Sequence, residues 1–314
     1  MSSKMKKYLL LLAAVLTVII GTTISVNAAT ITSSQTKATQ TTITVSWNAV
    51  SGADHYVVLY YQKGQDQSQA RKVTVSGSRT SYTIKGLKTG KVYYETVEAY
   101  SASNACIADE YYFHPAFTTP GKVTTVKPVA WDTKGKGGTF KMTSNPYPDV
   151  MDGYQWKFTD RNGNGKKAAG STTNYGFTTS KLYDNQVYRL YVRGFVNVNG
   201  KRQYGPWSYK YVVPQPKINL SLAGSNKIKL TWKKIAGATK YQIYASTSQN
   251  SGYKRIATVG AGTNTYTVSK VAGSSLVKYK NYYFKVRAVY TRGGKTYKSL
   301  TNNCYYGYIY TQYK

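Results

Sequence analysis

The sequence is short of the groups on which most enzymes and disulfide scaffolds rely. It holds two histidines and two cysteines in 314 residues. His55 and His114 have no ligand or nucleophile spacing between them, so neither a metal centre nor a catalytic triad is expected. Cys106 and Cys304 are too far apart for the closely spaced, even set of a small oxidised domain. They read as two free or buried thiols that pack as small apolar residues. Acids number eleven against 43 Lys and Arg, and no pair of them sits in a setting suited to acid–base work. No catalytic residue, cofactor or metal is expected, and the chain reads as a non-enzyme. Long apolar runs are also lacking. Tyr8 to Ile20 is short of the roughly 20 residues that cross a bilayer, and no later stretch comes close.

That run follows Lys4, Lys6 and Lys7 and leads to a small-residue exit at Val26-Asn27-Ala28. This order describes a secretory signal over residues 1–28, and it predicts an exported chain with no membrane span after cleavage. What is abundant then sets the class. Thirty-three Tyr and 27 Gly, with many Thr, Val and Ser, describe short strands cut by turns and an all-β protein.

Three stretches repeat one pattern: "VYYETVEAY" at 92–100, "VYRLYVRGF" at 187–195 and "NYYFKVRAV" at 281–289. Alternation places Tyr93, Glu95, Val97 and Ala99 on one face of the first. Tyr188, Leu190, Val192 and Gly194 take the same places in the second, and Tyr282, Phe284, Val286 and Ala288 in the third. Upstream, "TITVSW" and "KIKLTW" run to Trp47 and Trp232, and nine residues later Tyr56 and Tyr241 open the next strands after the Gly turns "SGAD" and "AGAT". The middle copy departs, with Phe140 and Met142 in the run that should lead to Trp and an insertion, "NPYPDVMDG", before Tyr154.

The period of roughly 90 to 95 residues is too long for a solenoid and suits a β-sandwich. Each unit resembles a fibronectin type III domain. Trp47, Tyr56, Leu87, Tyr93, Val97 and Ala99 carry the resemblance in the first unit, Tyr154, Leu182, Tyr188 and Val192 in the second, and Trp232, Tyr241, Tyr282, Val286 and Ala288 in the third. It implies three tandem immunoglobulin-like sandwiches over 29–119, 120–214 (divergent) and 215–314 (strongly basic). "TTPGKVTTV" at 118–126 resembles an inter-domain join, and the missing Trp puts the core packing of the second unit in question. Tyr93, Tyr188 and Tyr282 are expected to be structural, each burying its ring while its hydroxyl meets nearby backbone.

Two motifs invite a ligand and are expected to be turns. "DRNGNG" supplies Asp160, Asn162, Asn164 and Gly165 of a calcium loop, but the twelfth position is Ser171, so the bidentate Glu is missing. "GKGGT" at 135–139 lacks phosphate-loop spacing.

Charge is the remaining signal. The full chain carries +32, with 8 basic and 6 acidic residues in 29–119, 15 and 5 in 120–214, and 17 and 0 in 215–314. A field of that kind concentrates polyanions. If the inward set is right, Tyr283, Lys285 and Arg287 point outward in the third unit, and Arg189, Tyr191 and Arg193 in the second. Tyr94, Thr96 and Glu98 point outward in the first. Arg292, Lys295 and Lys298, and Lys201 and Arg202, follow in loops, and Tyr306, Tyr308 and Tyr310 alternate in the closing strand. Tyr244 and Gln242 are expected to join this face. The predicted surface is therefore Tyr283, Lys285, Arg287, Arg292, Lys295, Lys298, Tyr191, Arg193, Lys201 and Arg202.

These features describe a secreted or wall-associated adhesion module, and the Lys-headed signal and cysteine poverty point to a Gram-positive-type bacterium. The expected partner is an anionic cell-wall polymer or extracellular polysaccharide, with another surface protein as a further option. Export disfavours nucleic acid. The alternative is a carbohydrate-binding or spacer protein accessory to extracellular polysaccharide degradation, because Tyr rings pack on sugar faces without net charge.

Overall fold

The computed structural model describes residues 29–124, 126–132, 136–142 and 147–308. The expected signal over 1–28 and the outward Tyr310 lie outside these residues. Among the described residues there is no α-helix, only a 3-10 turn at Gln67–Gln69, and no helix is long and apolar enough to cross a membrane.

The strands form three sandwiches in chain order, each pairing a three-stranded sheet with a five-stranded one. In the first, Ser33–Ala38, Ile43–Trp47 and Ser81–Ile84 make the smaller sheet, while Arg71–Ser76, His55–Gln62 and Val92–Tyr100 make most of the larger. Cys106–Asp109 and His114–Phe117 both pair with the free side of Val92–Tyr100. The second repeats this with Val126–Trp131, Lys136–Met142 and Gly176–Tyr183 facing Ala168–Thr172, Gly153–Asp160, Tyr188–Val198, Lys201–Tyr204 and Ser208–Val212. In the third, Ile218–Leu222, Ile228–Trp232 and Thr265–Val268 face Lys254–Gly260, Lys240–Ser246, Asn281–Arg292, Lys295–Lys298 and Tyr305–Tyr308. Every ladder between these strands is antiparallel, as short connections allow.

Each sandwich encloses its own core, and the repeated aromatic residues fill it. Trp47 tilts onto Tyr56 at 5.3 Å and Trp232 onto Tyr241 at 5.4 Å between ring centroids. A slab about 10 Å thick needs rings of this size. Both phenols find a partner six residues upstream. Tyr56 accepts from the Val50 N–H at 2.9 Å and Tyr241 from the Ile235 N–H at 2.7 Å. The strands that open with Tyr93, Tyr188 and Tyr282 carry a second repeated lock. Their hydroxyls accept from the N–H groups of Lys88 (2.8 Å), Tyr183 (3.0 Å) and Val277 (2.9 Å), each five residues upstream.

The second core replaces its missing Trp from elsewhere. Trp156 lies flat on Phe177 at 4.3 Å with 6° between planes, and Phe140 tilts onto Phe158 at 5.1 Å. Trp131 is buried as well. Its counterpart of Tyr56, Tyr154, is buried but has a hydroxyl with no bonding partner.

The sandwiches also touch. Val187 sits in the core of the third, held by a parallel bridge in which its N–H donates to Ala236 O at 2.9 Å and the Ala236 N–H donates to Asn185 O at 2.8 Å. Asn303 donates to Trp131 O at 3.2 Å. Between first and second, Asn199 donates to Gln35 O at 2.8 Å beside a cluster of Ala38, Val196 and Val198.

Of the Gly-rich segment, residues 136–139 open the strand Lys136–Met142, which returns antiparallel along Val126–Trp131 with Gly138 opposite Trp131, and Gly137, at φ +74°, marks a register shift within it. Three expectations need correction. Cys106 is exposed and does not pack, while Cys304 lies 2.7 Å from the Tyr253 hydroxyl. Thr96 is buried rather than outward, because Glu110 folds over it and bonds its hydroxyl at 3.4 Å. Gln242 keeps the outer face but is buried there rather than exposed, where the Tyr244 hydroxyl donates to its side chain at 3.1 Å. "DRNGNG" is a turn: the Asp160 carboxylate accepts from the N–H groups of Asn162 (2.9 Å) and Asn164 (2.8 Å). Those bonds hold its pKa below the usual carboxylate value.

Candidate functional site

The outer face of the larger sheet in the second sandwich is a ladder of cations and rings. Tyr188–Val198 presents Arg189, Tyr191 and Arg193, and pairing sets Arg189 beside Tyr211 and Tyr191 beside Tyr209 on Ser208–Val212. Arg193 lies 3.7 Å from the Tyr204 ring and 4.4 Å from Trp207, and its Nε donates to Gln155 at 2.7 Å. Lys157 reaches over Trp207 at 4.9 Å and Tyr191 at 5.1 Å. Arg189 lies over Tyr209 at 4.6 Å and donates to the hydroxyls of Tyr191 (3.0 Å) and Tyr211 (3.2 Å). A guanidinium over a ring face is attracted by the ring quadrupole. Arg189 is held more firmly protonated by the bond to Tyr191, whereas burial pulls Arg193 down.

The ladder continues into the third sandwich. Tyr211 meets Tyr297 at 4.9 Å and Tyr290 at 5.1 Å, and Arg292 approaches the Tyr211 ring at 5.8 Å while donating to Arg161 O at 3.3 Å.

On the third sandwich, the corresponding face carries a second cluster. Lys285 sits 4.0 Å over Tyr253, and Arg287 donates to the Tyr244 hydroxyl at 3.3 Å and to Thr301 at 3.4 Å. Tyr244 stands between Arg255 and Lys285 in the sheet register. Burial, then the bond to Cys304, pushes the Tyr253 hydroxyl up, so that ring stays neutral. One cross-strand pair is common to both faces: Gln155 opposite Arg193, and Gln242 opposite Arg287. The first sandwich has Val57 opposite Glu98 at that place.

The predicted surface residues therefore fall into groups. Tyr191 and Arg193 share the ladder, and Arg292 joins its end. Tyr283, Lys285 and Arg287 form the separate cluster on the third sandwich. Lys295 and Lys298 are exposed on the strand after Arg292, and Lys201 and Arg202 are exposed on the second hairpin, where Arg202 lies 4.3 Å from the Phe195 ring. The arginines are less free than alternation alone implies, since rings and hydroxyls already occupy them. Sequence reasoning missed Trp207, Tyr209 and Tyr211, although "WSYKY" alternates. It also missed Lys157, Tyr204, Tyr253 and Arg255, which only sheet register brings in.

A buried carboxyl pair was missed as well. Glu95, 1% exposed, and Glu110 share the hydroxyl of Ser33, which lies 3.1 Å from Glu95 Oε2 and donates to Glu110 Oε2 at 2.6 Å. Glu110 also accepts from the N–H groups of Ser33 and Val97 (3.1 Å) and pairs with His114 at 3.3 Å. Burial, then the neighbouring Glu110 charge, pushes the Glu95 carboxyl up to about 8. Among the described residues no group of three or more His, Cys, Asp or Glu side chains could hold a metal ion.

The comparisons with known proteins bear first on the first sandwich. The family model "Fibronectin type III domain" matches residues 29–105. Contactin-3 from Mus musculus is 38% identical over 69 residues, covering 20% of this chain, and Contactin-3 from Rattus norvegicus is 35% identical over the same length. The chain spans 7% of the length of these relatives. Among solved structures, a two-domain fibronectin type III segment of chicken tenascin aligns over 58% of this chain and 97% of its own, with 14% identity and a TM-score of 0.31. The FN1-FN3 domains of chicken CNTN1 align over 90% and 99%, with 13% identity and a TM-score of 0.27. The matched segment and the sheet order repeated around it lead to one statement: residues 29–105 are a fibronectin type III domain, the first of three fibronectin type III-like sandwiches in this all-β chain.

Proposed function

We propose that the chain is a non-enzymatic extracellular binding module, divided into domains at 29–119, 120–214 and 215–314, whose second and third sandwiches hold an anionic polymer of the cell-wall type. One observation carries this reading. Both sandwiches turn the same Gln–Arg pair, set among lysines and tyrosines, to the outer face of the larger sheet, and the third has 17 basic residues and no acidic side chain. Such a face draws polyanions by its field and meets them with charge-assisted hydrogen bonds. The near-neutral first sandwich is then free for a different partner, in keeping with an adhesive role at the cell surface.

Retention of the full chain on inorganic polyphosphate and on isolated Gram-positive walls tests the reading. Binding is expected to fall steeply as salt rises and to weaken in the double variant Lys285→Glu/Arg287→Glu. Retention unchanged between low and high ionic strength overturns it.

A further inference from the structure

The first sandwich has a different surface. Among the described residues its Tyr111 and Tyr112 are the most exposed large hydrophobic side chains, at 84% and 71%. They meet edge to face at 4.5 Å on a loop that is anchored at both ends. On one side the Glu110 side chain, 4% exposed, is bonded to Ser33 and Val97. On the other, Phe113 packs edge-on against Tyr61 at 5.1 Å, and Tyr61 stacks on Tyr94 at 5.4 Å.

Tyr61 is also one wall of a cleft of about 130 Å³, which it shares with Gln62, Gln65, Gln69, Arg71 and Lys88. One amide there is held in place, that of Gln65. Gln65 accepts from the Gln62 N–H at 3.0 Å, which leaves its amide N–H groups free, and Gln69 closes a 3-10 turn capped by Asp66.

We propose that this aromatic strip and the amide-lined cleft beside it form a binding site for a neutral polysaccharide chain. Phenol rings offer flat faces for the C–H surfaces of sugar rings, and their hydroxyls remain available to hydrogen-bond. Planar amides, with both donors and acceptors, match sugar hydroxyls without needing charge. The cleft is smaller than the roughly 300–1,000 Å³ usual for a whole small-molecule ligand. It therefore takes one sugar residue, and the exposed tyrosines meet its neighbours along the chain. Arg71 and Lys88 are exposed, and the 8 basic and 6 acidic residues of this sandwich give it little field to select anions. The site does not depend on the polyanion reading of the other two sandwiches.

Affinity electrophoresis of the full chain through gels containing hydroxyethyl cellulose, laminarin, arabinoxylan or amylopectin decides the matter, run at about 0.5 M NaCl so that long-range charge effects are screened. At least one polysaccharide is expected to retard the protein, with affinity at least about tenfold weaker in Tyr61→Ala and in Tyr112→Ala. Tyr112 is exposed, so its variant keeps the fold even if Tyr61→Ala does not. Lys285→Glu/Arg287→Glu is expected to leave the retardation intact while polyphosphate binding weakens, so the two readings fail separately. No retardation on any of the four gels, or retardation unchanged in Tyr112→Ala, overturns the proposal.

Discussion

One inward position separates the three sandwiches. It holds Glu95 in the first, Leu190 in the second and Phe284 in the third, each two residues beyond the corner tyrosine and each buried. Strand alternation determines that the side chain points into the slab; it does not determine what chemistry the slab accepts there. In the first sandwich the carboxyl is admitted because Ser33 arrives from the opposite sheet with a hydroxyl and Glu110 comes from a loop. The third has no acidic side chain anywhere in 215–314 and fills the place with a ring. A titratable core and an inert one thus share a single backbone plan.

The largest expected effects come from exchanging the two chemistries. Phe284→Glu puts a carboxyl where no hydroxyl partner waits, at an effective penalty of several kcal/mol, and it is expected to remove the third sandwich's unfolding transition in calorimetry. Phe284→Ala, which only leaves a cavity, is expected to cost about 3–5 kcal/mol in denaturant unfolding. If the Glu variant is no worse than the Ala variant, the contrast with Glu95 fails.

Next comes the pH dependence of the first sandwich. Glu95 is raised from 4.5 to about 8 by burial first and by Glu110 second. The folded state therefore keeps a proton that the unfolded chain gives up. Stability is fully present below the ordinary carboxylate value and is lost as pH rises through about 8, with a total on the order of a few kcal/mol. Melting of the first sandwich is expected to fall between about pH 5 and about pH 9, and Glu95→Gln is expected to flatten that slope. A wild-type melting temperature equal at the two ends would show that Glu95 does not hold its proton.

The corner tyrosines test what the sandwiches have in common. Tyr93→Phe and Tyr282→Phe leave the N–H groups of Lys88 and Val277 without their partner, and each is expected to cost about 1–3 kcal/mol. Similar losses at both sites would confine the difference between sandwiches to the position two residues on. The smallest effect is expected on the outer face. Lys285→Ala should change stability by no more than about 0.5 kcal/mol while weakening polyphosphate binding, because its ammonium lies over the Tyr253 ring at the surface of the sheet.

Much of the fold was legible in the chain. Tyr56 and Tyr241 sit nine residues after their tryptophans because a strand, a Gly turn and the opening of the next strand have nearly constant length. Asp160 followed by Asn-Gly pairs marks a turn through bonds made within five residues. The candidate site was legible only in part. Arg193 and Arg287 could be placed on an outer face by alternation, but not beside Gln155 and Gln242, since that needs the register between strands. Trp156 could not be recognised as a core tryptophan standing in for the one the second unit lacks, because it enters the core from a different strand, Gly153–Asp160. Thr96 was misplaced because a loop residue, Glu110, covers it.

The sequence by itself determined the period, the three sandwiches and the face on which each strand residue lies, since these follow from local geometry and two-residue alternation. Only the tertiary structure decided that Glu95 and Glu110 meet at the Ser33 hydroxyl, that rings occupy the arginines of the second sandwich, and that Tyr211 joins its face to the third. Those contacts link residues from different strands and sheets, and no pattern within a single strand carries them.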